Sequence, residues 1–233
     1  MKKKDLIFAL AVIAIFSPFF WSNATYETYT GFNVQHGMIM AFIKFAILAT
    51  LGEIIGLRIK TGQYIQKGFG VIPRAIVWGF IGLTIKMAFI IFATGTPEFL
   101  TYLGLNDAKT LMQGDFSWNK VLVAFCISAA MNIIYAPVMM TFHKITDTHI
   151  VDNNGTLKGF FKPIQFKEIF AKLDWKVQWN FVFKKTIPFF WIPAHTITFL
   201  LPPEFRVLFA ALLGIMLGVF LAVAAQLGKK QAV

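Results

Sequence analysis

Three ionisable side chains lie inside long apolar runs of this chain: Lys44, Glu53 and Lys86. A charge at such a position costs about 2.5–3.5 kcal/mol to place in hydrocarbon, so each is a functional candidate by default. Two polar residues in further apolar runs, Asn132 and His195, join them. The chemistry open to this set is the binding and passage of small polar solutes. Lysines attract anions, while a carboxylate, an amide and an imidazole offer exchangeable hydrogen bonds. Bond-making chemistry has no comparable basis. Ser117 and Ser128 have no base nearby in sequence, and there is no Gly-rich phosphate loop and no His-Glu-x-x-His pattern. His143, Asp147 and His149 do not have a recognised metal-ligand spacing. The single cysteine, Cys126, excludes an intrachain disulfide and a cysteine-paired metal site. No catalytic residue, metal or cofactor is expected, and enzyme activity is not expected.

The elements that must position these residues are membrane helices. Of 233 residues, 57% are hydrophobic and only 14% charged, against about a quarter charged in an ordinary soluble domain. Six apolar runs, each of about 20 residues, are long enough to span a bilayer. They cover residues 6–21, 37–57, 75–94, 121–142, 181–201 and 207–227. The expected fold is therefore all-α, a polytopic membrane bundle forming a single integral domain over residues 1–233. The first run follows Lys2-Lys3-Lys4 and resembles a signal peptide. Bulky Phe19-Phe20-Trp21 before the Ser22-Asn23-Ala24 site reads instead as an aromatic belt, which favours an uncleaved helix.

The net charge of +11 would suggest nucleic acid in a soluble protein, but the basic residues fall between apolar runs. With Met1 in the cytoplasm, the same side holds Lys2, Lys3, Lys4, Arg58, Lys60, Lys67, Arg74, the lysines from Lys144 to Lys185, and Lys229 and Lys230. The opposite side holds Lys109, Lys120 and Arg206 with Glu27, Glu98, Asp107, Asp115 and Glu204. This asymmetry predicts both termini in the cytoplasm. Membrane lipids are then the natural partners, with Lys184 and Lys185 at lipid phosphates, and nucleic acid is not expected. In the longest loop, within residues 144–178, Phe166, Ile169, Phe170, Leu173 and Val177 recur at helical period. Two placements fit that amphipathic helix: flat on the inner membrane surface, or packed beneath the bundle.

At about 1.5 Å per residue, Lys44 lies about 10 Å, Lys86 about 12 Å and His195 about 8 Å below the outer ends of their helices, and Glu53 lies about 24 Å down. Lys86 shares a face with Gly79 and Gly82, and Glu53 with Ala49 and Gly56; such small faces let helices approach closely. Both charges are therefore expected to point into the bundle.

Several stretches resemble the Mpv-seventeen family, which includes the twenty-two-kilodalton peroxisomal membrane protein. Leu51-Gly52-Glu53-Ile54-Ile55 is similar to its Leu-Gly-Asp-Ile-Ile stretch. Arg74 followed by Gly79-Phe80-Ile81-Gly82 resembles Arg, then Gly-Phe-Val-Gly-Pro, with Leu83 replacing the proline. Asn132-Ile133-Ile134-Tyr135-Ala136-Pro137 resembles Gln-x-x-Phe-Ala-Pro, with Met131 where the family has aspartate. Trp191, Pro193, Phe199, Pro202 and Arg206 resemble its C-terminal signature, with Thr198 replacing an asparagine. The shared order covers residues 37–225; residues 1–22 are an addition to a family usually drawn with four spans. The resemblance implies a membrane protein acting as a pore for small solutes; the chain is expected to be a divergent, bacterial-type member, located in the inner membrane of a bacterium. A mechanism resting on the family's aspartate does not carry over.

The leading expectation is a channel or carrier for small, anionic solutes, with a hydrated cavity lined by Lys44, Lys86 and Asn132. The alternative is a structural or lipid-handling membrane protein. In that case Lys44 snorkels to the interface, Glu53 pairs with Lys86, and the bundle is dry. A membrane enzyme ranks third.

Overall fold

The computed structural model describes the backbone of residues 3–231 and the side chains of residues 3–219. Met1 and Lys2 lie outside the described residues, as do the side chains of Lys229, Lys230 and the later part of the sixth run. Among the described residues the chain is helical, with no strand. It divides into two compact units, residues 1–40 and 41–233.

The first unit contains α1 (Lys3–Phe16), α2 (Pro18–Trp21) and α3 (Asn23–Gln35). Pro18 cannot donate a backbone hydrogen bond, and it opens α2 after a break at Ser17. Ser22 caps α3, its hydroxyl accepting from the Thr25 N–H at 3.2 Å. The ring of Phe19 on α2 meets Tyr29 on α3 edge to face at 5.3 Å, a favoured aromatic geometry. Helix α3 occupies a stretch that apolar periodicity does not mark.

The division falls within α4 (Gly37–Thr61). The second unit continues with α5 (Val71–Tyr102), α6 (Ala108–Gln113), α7 (Trp118–Ile134) and α8 (Ala136–Asp152). Helix α5 runs about two turns past the C-terminal end of the expected third run. It begins after Gly70, whose φ is +70°, a conformation that suits glycine. It continues through Pro97. The expected fourth run is two helices bent by 44°. Pro137 lies in the first turn of α8, where its missing N–H and its ring break the ladder from α7. Helix α8 then continues to Asp152, so the first part of the expected loop is helical.

Beyond it come α9 (Leu157–Phe160), α10 (Phe166–Lys172) and α11 (Trp175–Val177). The amphipathic stretch is therefore not one continuous helix. Leu173 is extended, and the Asp174 carboxylate caps a new turn by accepting from Val177 N–H at 3.0 Å. Ile169 and Leu173 pack with Ile145 of α8 in a buried cluster, while Phe166 and Phe170 stay exposed.

A wide helix covers Gln178–Trp191 and leads into α12 (Ile192–Leu200) and α13 (Pro203–Gln231). At its end, Ile192 N–H donates to Ile187 O, five residues back. Pro188 sits inside this segment and Pro193 just after it, each removing one ladder hydrogen bond.

Close helix crossings depend on glycine. A Cβ on Gly82 of α5 would lie 2.6 Å from the Ala41 carbonyl of α4, and one on Gly79 would overlap the Phe42 ring. A Cβ on Gly52 of α4 would lie 2.9 Å from Ile215 Cα on α13. Helix α12 packs chiefly on α7, and α7 and α8 both contact α5. Large apolar residues such as Phe80, Ile90, Ile91, Ile133 and Ile134 point outward, as lipid-facing residues do.

Three helical segments of the described residues are long and apolar enough to cross a membrane: Lys3–Trp21, Gly37–Thr61 and Val71–Tyr102. The bent pair α7–α8 makes a fourth if counted as one span. The fifth and sixth expected runs are not in this set.

Candidate functional site

A cavity of about 560 Å³ opens within the second unit. Arg74 and Phe89, both on α5, line it. It therefore extends about 22 Å along that helix, at a rise of about 1.5 Å per residue. Two polar groups of different character border it.

The first is a charged clamp across three helices. Glu53 of α4 accepts from Arg74 Nη1 at 2.6 Å through Oε2, and from Trp78 Nε1 at 2.8 Å through Oε1. His143 Nε2 of α8 lies 3.3 Å from the same Oε1. Arg74 also donates through Nε to the Phe69 carbonyl at 2.7 Å, and its Nη2 pairs with Asp147. Its guanidinium covers the Phe69 ring at 4.5 Å, a cation–π contact. The Arg74 side chain is only 9% exposed, and its planar fork is suited to joining two carboxylates at once. The rings of Trp78 and His143 lie 4.3 Å apart. Lys144 Nζ donates to Asp147 Oδ2 in a long ion pair of 3.5 Å.

The second group is neutral and more deeply enclosed. Asn132 of α7, 1% exposed, donates through Nδ2 to the Ser128 carbonyl at 2.9 Å. Its amide faces His195 Nδ1 of α12, with Nδ2 at 3.1 Å and Oδ1 at 3.3 Å. Ser128 Oγ donates to the Ile192 carbonyl at 2.7 Å. Trp191 lies against the imidazole at 5.1 Å and Phe89 meets it edge on at 5.7 Å. Polar atoms of α7 and α12 thus satisfy one another across the main helix–helix contact of the unit.

Of the residues expected to form a site, Glu53, Asn132 and His195 border the same cavity. Lys44 and Lys86 do not line it. Lys44 is 5% exposed and Lys86 is half-buried; the two lie near enough to act on each other electrostatically. The Glu53–Lys86 pair of the alternative reading is replaced by Glu53–Arg74, because Arg74 opens α5 where Glu53 nears the end of α4. His143 turns to Glu53, whereas His149 Nε2 lies 3.1 Å from the Phe160 carbonyl. Among the described residues no three metal-binding side chains converge.

The remaining motif positions have structural surroundings. Gly52, Gly79 and Gly82 lie at the helix crossings and Pro137 at the bend. Trp191 borders the cavity, Phe199 is fully buried, and Pro193 and Pro202 are exposed. Arg206 donates to the carbonyls of Leu201 at 3.0 Å and Phe199 at 3.1 Å, satisfying carbonyls at the end of α12. Trp78 was not legible as a site residue, and Asp147 was legible, with His143 and His149, only as a metal-ligand candidate. Asp147 and His143 are four apart, a same-face signal that appears only once α8 is carried past residue 142. Comparison of the chain with models of protein families, with curated proteins and with solved structures gives no match.

Proposed function

We propose that this chain is an integral membrane protein of six spans, with both termini in the cytoplasm, and that its cavity is the chamber of a channel or carrier for small solutes. The observation that carries this reading is the cavity itself, with Glu53, Asn132 and His195 in its lining. Intramembrane polar residues that face a shared cavity are the usual mark of a solute pathway. The apolar helical segments and the outward-facing isoleucines support insertion in lipid. In this reading the wide helix with α12, and α13, are taken as the fifth and sixth spans, and the lysine asymmetry supports the orientation. The inner membrane of a bacterium and membership of the Mpv-seventeen family belong to the same proposal. The positions that carry that resemblance include cavity residues and helix crossings, which favours the reading. No catalytic step is assigned.

Flux in proteoliposomes tests it. Small anions should cross faster than in empty liposomes, and Asn132→Leu should reduce the rate. Flux equal to empty liposomes at every pH and voltage tried would remove the transport reading. Reporter fusions at both termini test the orientation independently.

A further inference from the structure

On the reading that the cavity is a solute chamber, we infer that its occupant is an amphipathic carboxylate, with its anionic head at Lys60 and Lys144 and its apolar body against Phe45, Trp78 and Met140. The inference follows from which polar groups are already engaged. Arg74 is held by Glu53, Asp147 and the Phe69 carbonyl, and Trp78 N–H and His143 both turn to Glu53. The clamp therefore offers a ligand little that its own members do not use. Lys60 and Lys144 border the same cavity and are exposed, and the ion pair of Lys144 with Asp147 is long, at 3.5 Å, and solvent-facing on the lysine side.

The sign of the charge selects the head group. Lining cations are Lys60, Arg74 and Lys144, against the carboxylates Glu53 and Asp147. A cationic head would be repelled, and a neutral one would leave the lysines unused. The walls select the body. Between the clamp and the Asn132–His195 pair the lining is aromatic, aliphatic and thioether. A fully hydrophilic anion would have to shed water there without compensation, whereas an alkyl or aryl body gains from the same surface. Methionines such as Met140 adapt to bodies of varied shape. The volume is within the range of about 300–1,000 Å³ common to small-molecule sites.

The test uses the full chain in nanodiscs of neutral phosphatidylcholine and titrates ω-bromododecanoate, whose bromine quenches tryptophan fluorescence. Quenching should saturate, be displaced by dodecanoate but not by propionate, and largely vanish in Trp78→Phe/Trp191→Phe. Lys60→Gln/Lys144→Gln alters only exposed side chains and should weaken binding about tenfold, as expected for the loss of a charge-assisted contact. Unchanged affinity in that variant, equal affinity for bromododecanol, or quenching that never saturates would overturn the assignment. Binding is read here without flux. Saturable binding with no solute flux would remove the transport reading alone. Flux of hydrophilic anions that dodecanoate does not inhibit would remove this occupant alone.

Discussion

Replacing Arg74 by Met tests the clamp most directly. The methionine keeps much of the apolar stem but leaves Glu53 and Asp147 without the guanidinium between them. Removing one partner of a buried ion pair costs about 3–5 kcal/mol. Discounting for solvent is small here, because the Arg74 and Glu53 side chains are 9% and 19% exposed. In a chain of this length each kcal/mol moves Tm by about 2–4 °C, so the midpoint should fall by about 6–20 °C. The assay is thermal unfolding of the purified protein in mild detergent, read by loss of monodisperse material. Glu53→Gln alone should cost less, since its amide oxygen still accepts from Trp78. The double variant Glu53→Gln/Arg74→Met should be more stable than the two single losses predict, by at least about 1 kcal/mol. Arg74→Lys should recover only part of the loss, because one ammonium does not reproduce the fork. A fall in Tm below about 2 °C for Arg74→Met, or strict additivity in the double variant, would refute the clamp as a stabilising unit.

Three further outcomes follow from the packing. Gly82→Ala should destabilise by about 1–3 kcal/mol through overpacking, because its Cβ would meet the Ala41 carbonyl; thermal unfolding checks this. Trp191→Phe should leave Tm unchanged or raise it, since Trp191 Nε1 is a buried donor without a partner among the described residues. Ile169→Ala should cost about 2–5 kcal/mol locally and speed proteolysis of residues 153–175 without changing cavity binding, because Ile169 holds α10 beneath α8.

Legibility in sequence followed the source of each signal. The helical class and the course of α4 were readable because a run of apolar residues carries its own evidence, and α4 starts at the expected residue. Glu53, Asn132 and His195 were legible as candidates because polar groups in apolar runs stand out. Their partners were not. Arg74 read as a loop cation and as a position of the family resemblance, and Trp78 did not stand out, since pairing with Glu53 depends on how α4 and α5 meet. The lysines have the same type of signal as Glu53, but Lys44 and Lys86 lie off the cavity wall, because a charge in an apolar run does not say which side of its helix faces a cavity. Helix α8 was cut short because its second half is polar enough to resemble a loop. The break at Leu173 was missed because a periodic apolar pattern continues through it.

The clamp also bears on biosynthesis. Glu53 and Arg74 belong to consecutive helices joined by a short connection, so their ion pair can form while only this hairpin has been made. Glu53, a charge that would resist entry into hydrocarbon, can then find its counter-charge at the start of the very next helix. Asp147 is synthesised much later and completes the arrangement from α8. The order of translation thus matches the order in which the charges need partners, and the hairpin brings with it the docking point for the helix that follows.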